Sequence, residues 1–189
     1  MMQFPMHSVE TAPEGSREIL AQAQKRGGRV VNMLGVMAES PVMLKSYMAM
    51  ASLLAQGSLS PTELQVVMFT ANIENGCAYC VAAHTAEAMH QKVAPKVIQA
   101  LREGRDLDDS KLEALRRLAR ALVIGRGTVG GAELEQAMAA GYTHAQVLEV
   151  ITAIAAKTIT NYADHLARPP LDASFERFAW TRPAVEAKA

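Results

Sequence analysis

Residues 60–84 read SPTELQVVMFTANIENGCAYCVAAH, and this stretch decides the fold class. Ser60 is an N-cap serine, Pro61 takes the first helical position where a missing N–H costs nothing, and Glu63 completes a capping box. A helix is therefore expected from about Pro61. Leu64, Val67, Met68 and Ala71 recur at helical spacing as a core stripe until Asn75-Gly76 supplies a stop. From Cys77 to His90 the chain is Ala-rich and free of Gly and Pro, which favours a second helix starting at or near Cys77.

Similar punctuation continues on both sides. Ser40-Pro41 opens a Met- and Leu-rich helix that ends before Gly57. Asp109-Ser110 opens another, with Leu112, Leu115, Leu118 and Leu122 in register opposite Arg116, Arg117 and Arg120, read as a solvated face. Gly141 ends a shorter helix, and Thr143 with Gln146 makes a second capping box for the longest one. Along that helix Val147, Ile151, Ile154, Thr158, Tyr162 and His165 form the stripe expected to be buried, before Pro169-Pro170 stops it. No alternating strand bounded by turn signals is found. The expectation is an all-α, multi-helix single domain over residues 1–189, with a core of about 38–180 and loose arms of about 1–14 and 182–189.

Lys and Arg number 19 and Asp and Glu also 19, so no net field draws the chain to nucleic acid or an anionic membrane. The start, Met1 to His7, lacks the basic residues and apolar run of a secretory signal. Apolar stretches near Met50 and Ile154 are interrupted well short of the roughly 20 residues a membrane span needs. A cytoplasmic protein with neither nucleic-acid nor membrane partners is expected. Many of the eleven methionines fall between Met33 and Met68, where filling irregular helix contacts accounts for them.

Both of the chain's cysteines lie in the opening stretch, three residues apart. A disulfide in a secreted protein usually closes a longer loop, so this spacing points to redox or metal chemistry. Cys77 and Cys80 are i and i+3, and His84 is i+4 from Cys80, so one helix face can carry all three. A helix N-terminus or a neighbouring imidazole lowers a thiol pKa from its usual ~8.5 and supplies reactive thiolate. A thiolate that attacks a hydroperoxide becomes a sulfenic acid, which a second nearby thiol can trap as a disulfide. By this geometry Cys80, next to His84, attacks and Cys77 resolves. Spacing alone leaves the reverse assignment open, because Cys77 gains more from the helix dipole.

Residues 74–85, Glu-Asn-Gly-Cys-Ala-Tyr-Cys-Val-Ala-Ala-His-Thr, resemble the signature of the AhpD-like alkylhydroperoxidase and carboxymuconolactone decarboxylase family. The upstream Leu-Ser-Pro-Thr-Glu-Leu-Gln and the downstream Gly-Tyr-Thr and Asn-Tyr-Ala-Asp-His resemble it too, over about Ala38 to Trp180. The resemblance implies an all-helical fold, homo-oligomers, and reduction of organic hydroperoxides by a cysteine pair recharged by a dithiol or lipoyl-type partner. It makes Cys80 peroxidatic, Cys77 resolving and His84 the proton relay, with no organic cofactor or metal required.

Two positions depart from the family pattern. Members often carry glutamate about twelve residues before the first cysteine, where this chain has Gln65. Glu63 is a poor substitute, being spent in the capping box and roughly 200° from Gln65 around the helix. Glu74, three residues before Cys77, is the better candidate to orient His84 or take a proton through water. Where a histidine can precede the second cysteine stands Tyr79, whose phenol can hydrogen-bond a peroxide oxygen or simply pack against a helix.

Three rival readings compete with the peroxidase. Carboxymuconolactone decarboxylase chemistry on a lactone ring needs no pair of thiols. A non-catalytic zinc-binding or helical interaction module would take Cys77, Cys80 and His84 with His90, His144 or His165, although three ligands on one helix splay unfavourably. A thiol–disulfide oxidoreductase acting on proteins would exchange disulfides quickly and consume peroxide slowly.

Overall fold

The computed structural model describes residues 4–183. Among them are nine helices and no strand: α1 (Glu14–Gly27), α2 (Asn32–Met37), α3 (Pro41–Leu54), α4 (Pro61–Glu74), α5 (Ala78–His90), α6 (Pro95–Glu103), α7 (Ser110–Ile124), α8 (Gly131–Ala139) and α9 (His144–Ala167). A 3-10 turn, Glu176–Phe178, follows α9.

The expected caps are in place. Ser60 Oγ accepts from Glu63 N, while Glu63 returns a bond to Ser60 N. Thr143 and Gln146 repeat the exchange at α9, and Ser40 caps α3 ahead of Pro41. Three helices escaped the sequence reading. The signals for α6 were present, with Pro95 in the first turn and Gly104 left-handed just past the end. The signals for α1 were Glu14 in the first turn and Lys25 and Arg26 in the last, before left-handed Gly28.

Helix α4 is central and packs on α5, α6, α7 and α9. Its Val66, Val67 and Phe69 have no exposed surface and join Leu115, Leu118, Val150 and Ala153 in the main core. Truncating Phe69 to Ala should cost about 3–5 kcal/mol. A second cluster gathers Leu20, Met33, Met37 and Leu44 from α1–α3 around Cys77, Tyr79 and Cys80. The cysteines therefore sit at the seam between the first three helices and the rest.

Two expectations are corrected here. The segment before α1 is docked over residues 7–12: His7 N donates to Gly35 O, and Ala12 is fully buried. The arm expected at 1–14 is thus held by backbone bonds and burial, except for residues 1–3, which lie outside the described residues, as do 184–189 of the other arm. The buried face of α9 carries Val150, Ala153, Lys157, Thr160 and Asn161, about a third of a turn from the expected stripe. Ile151, Tyr162 and His165 are exposed. Small alanines let α9 approach its neighbours closely and leave larger apolar residues outside.

Candidate functional site

Gly76, left-handed at φ 72°, is the middle of the three residues that join α4 to α5. The turn is clamped by Cys77 N donating to Asn72 O at 2.9 Å. Cys77 is itself the N-cap of α5, its sulfur accepting from Cys80 N at 3.1 Å. Both cysteines are free thiols, and both are buried.

The Cys80 side is cationic. Lys157, from α9 and 2% exposed, places Nζ 2.8 Å from His84 Nε2. A buried ammonium needs partners, and the bonding order around it fixes the imidazole tautomer. His84 Nδ1 lies 2.9 Å from Gln65 Oε1, and Gln65 Nε2 donates to Gln91 Oε1 at 3.1 Å. Gln91 Nε2 then donates to exposed Glu87 at 2.7 Å. Read in that direction, His84 donates from Nδ1 and accepts from Lys157 at Nε2. Burial, and next the Lys157 charge, push the His84 pKa well down, so the ring stays neutral.

Cys80 is lowered to about 7. The largest cause is the hydrogen bond from Cys77, with the Lys157 charge and Asn161 acting in the same direction against burial and Asp164. Asn161 is fully buried and fixed by donating to Asn72 Oδ1 and accepting from Asn75 Nδ2, both at 2.9 Å. Asn72 in turn donates to the Cys80 carbonyl at 3.4 Å.

The Cys77 side is anionic. Its Sγ donates to Asp164 Oδ2 at 3.3 Å. Hydrogen bonding to Cys80, burial and the Asp164 charge push its pKa far up. Of the two sulfurs, Cys80 is the more readily ionised. Beside them opens a cleft of about 440 Å³ whose lining includes Ala78, Tyr79, Asp164, His165, Arg168 and Trp180.

Tyr79 and Glu74 are committed elsewhere. The Tyr79 hydroxyl donates to Asp172 and accepts from Met33 N at 3.2 Å, so it is not free for a peroxide oxygen. One residue from Cys80, it points about 100° away around the helix, and its ring meets Phe175 edge-on. Glu74 Oε1 lies 2.9 Å from Arg120 Nε and Oε2 lies 3.7 Å from Arg182 Nη2. It faces α7, away from His84, and Gln65 itself holds the position beside the imidazole. Of the arginines read as a solvated face, Arg117 and Arg120 are exposed and Arg116 is largely covered, and Arg116 and Arg117 pair with Glu113 and Asp106. A larger cavity of about 1150 Å³ opens there, lined by Glu74, Arg116, Arg117 and Arg120 among others.

The structure brings Lys157, Asn161 and Asp164 to the cysteines, a convergence the sequence reading does not contain. Their signal was their spacing, i, i+4 and i+7, which places three polar residues on one side of an otherwise apolar helix. Among the described residues, no group of three His, Cys, Asp or Glu is gathered so as to hold a metal ion. No described helix is long and apolar enough to cross a membrane.

Residues 41–122 match the carboxymuconolactone decarboxylase family. That segment holds both cysteines, His84 and Gln65, and stops before α9. No curated protein matches the sequence. The fold is similar to the AhpD-core crystal structure of an uncharacterized peroxidase-related protein from Ralstonia eutropha JMP134, with TM-score 0.80 and 20% identity over 92% of this chain and 93% of that one. It is also similar to a peroxidase-related protein from Silicibacter sp. TM1040, with TM-score 0.77 and 19% identity over 92% of each chain. A third likeness is to a cysteine-to-alanine form of the debrominase Bmp8 in complex with 2,3,4-tribromopyrrole, with TM-score 0.77 and 15% identity over 94% of this chain and 95% of that one. At these identities the likeness is one of fold, and the fold is AhpD-like.

Proposed function

We propose that this chain, with its AhpD-like fold and carboxymuconolactone decarboxylase segment, is a thiol-dependent peroxidase that reduces organic hydroperoxides as an antioxidant enzyme. The observation that carries this reading is the division between two free cysteines: Cys77 Sγ donates to Asp164 Oδ2 at 3.3 Å, while Cys80 lies on the Lys157 side and is the more readily ionised. A lactone decarboxylase has no use for that division.

In the proposed cycle the Cys80 sulfur attacks the terminal peroxide oxygen and the O–O bond breaks. The leaving alkoxide takes a proton from the Lys157 ammonium, which His84 holds in place. Cys80 is then a sulfenic acid. Attack by Cys77 forms the S–S bond and expels water. An external dithiol or lipoyl-type reductant reopens the disulfide, and the proton released at Cys80 recharges Lys157. No metal or organic cofactor enters any step.

A cytoplasmic setting, where thiols are kept reduced, suits two free cysteines. A homo-oligomer is part of the proposal. Leu148, Ile151, Tyr162 and Leu166 form an exposed apolar ridge along α9 that a second copy would cover.

The test is a free-thiol titration with intact mass, before and after one equivalent of cumene hydroperoxide. Loss of both thiols with loss of two hydrogens is the expected result. Two thiols untouched by peroxide would overturn the reading.

A further inference from the structure

We propose that Asp164 is the catalytic base for disulfide closure, taking the proton of Cys77 as that sulfur attacks the Cys80 sulfenic acid. The assignment rests on the peroxidase reading and concerns its second chemical step.

Cys77 must lose a proton to become a nucleophile, yet in the resting state the hydrogen bond to Cys80, burial and the Asp164 charge together oppose ionisation. Its S–H has two acceptors within reach, the Cys80 sulfur and Asp164 Oδ2 at 3.3 Å. While Cys80 is a thiolate it competes for that hydrogen. Oxidation removes the negative charge from Cys80, and the Asp164 carboxylate is then the anionic acceptor that remains. Peroxide attack thus arms the resolving thiol.

Asp164 suits the task in position and strength. It sits one turn beyond Asn161 on α9, partly buried and opening on the 440 Å³ cleft, so a proton it accepts can pass to solvent. Burial raises its pKa, opposed by the Cys77 hydrogen bond and by His165, and a carboxylate so raised is a better base than a free one. The step balances. The S–S bond forms, the S–O bond of the sulfenic acid breaks, the Cys77 proton goes to Asp164, and the departing hydroxide leaves as water when that proton or a solvent proton joins it.

The experiment separates the two half-reactions. Protein is mixed with one equivalent of cumene hydroperoxide and quenched at intervals into a sulfenic-acid-trapping dione and a thiol alkylator, and each species is resolved by intact mass. In Asp164→Asn, sulfenic acid at Cys80 should form as fast as in the wild type or faster, because a repelling charge is gone. Closure should slow about a hundredfold, with sulfenic acid accumulating. Asp164→Ala should behave alike and be rescued by acetate entering the cleft, but not by chloride, which damage to the fold would not show. Closure at the wild-type rate in a folded Asp164→Asn protein, or Asp164→Ala closing slowly and indifferent to acetate, would overturn the assignment. A wild type that forms neither sulfenic acid nor disulfide fails earlier, at the peroxidase reading, and takes the assignment with it.

Discussion

The two ends of the cysteine motif, one helical turn apart, meet opposite environments. Around Cys80 the neighbours are Lys157, the neutral His84 it bonds, and the amide of Asn161. Beside Cys77 stands the Asp164 carboxylate, 3.3 Å from its sulfur. The hydrogen bond between the two sulfurs, with the Lys157 charge on one side and the Asp164 charge on the other, makes Cys80 the more readily ionised of two chemically identical thiols. Cys-x-x-Cys spacing creates a pair, and neighbours distant in sequence help to make its members unequal.

The strongest way to break the comparison is to remove one sulfur. Cys80→Ser should abolish peroxide turnover with helical circular dichroism intact, while Cys77→Ser should still complete one attack and stall as sulfenic acid, read by intact mass. Equal loss of the first step in both variants would erase the distinction. Removing the cation is next. The alkylation rate of Cys80 should rise with pH through a midpoint near 7, because the thiolate is the reactive form. Lys157→Met should move that midpoint upward and slow alkylation at neutral pH about five- to tenfold. An unmoved midpoint would show that the Cys77 hydrogen bond suffices.

Tyr79→Phe removes the hydroxyl between Asp172 and Met33 N. It should cost about 1–3 kcal/mol in denaturant unfolding, since a buried carboxylate loses one of its hydrogen-bond donors, and should leave the thiol profile in place. The smallest effect is expected from Gln65→Glu. A carboxylate next to His84 favours the imidazolium, so the His84 pKa should rise, as followed by NMR titration, with a change of a few-fold at most in peroxide turnover. Glu74→Gln, by contrast, should leave the alkylation profile unchanged, because that carboxylate is occupied by Arg120 and Arg182.

Much of this was legible without coordinates. The start of α4, the Asn75-Gly76 break, the start of α5 at the cysteines and the caps of α3, α7 and α9 all follow from residues within a turn of one another. The Cys77, Cys80 and His84 spacing follows from the same local geometry. Less legible was the use of each polar residue. Glu74 was given to the relay because it is near in sequence, but its position on α4 turns it toward α7. Tyr79 was offered to the peroxide, but Asp172 lies 93 residues further on and takes its hydroxyl.

Capping, propensity and periodicity act over a few residues, and they suffice for the set of helices around the motif and for a thiol pair beside a histidine. Which face of α9 is buried was decided only by the tertiary structure, and with it the arrival of Lys157, Asn161 and Asp164 at the cysteines. A helix carries its side chains at fixed angles, but the neighbours that cover it choose among them. Here close packing of Ala153 and Ala156 against the core outweighed the burial of the larger Ile151, Tyr162 and Leu166. The polar strip was drawn inside, and the charges that tell Cys80 from Cys77 came with it.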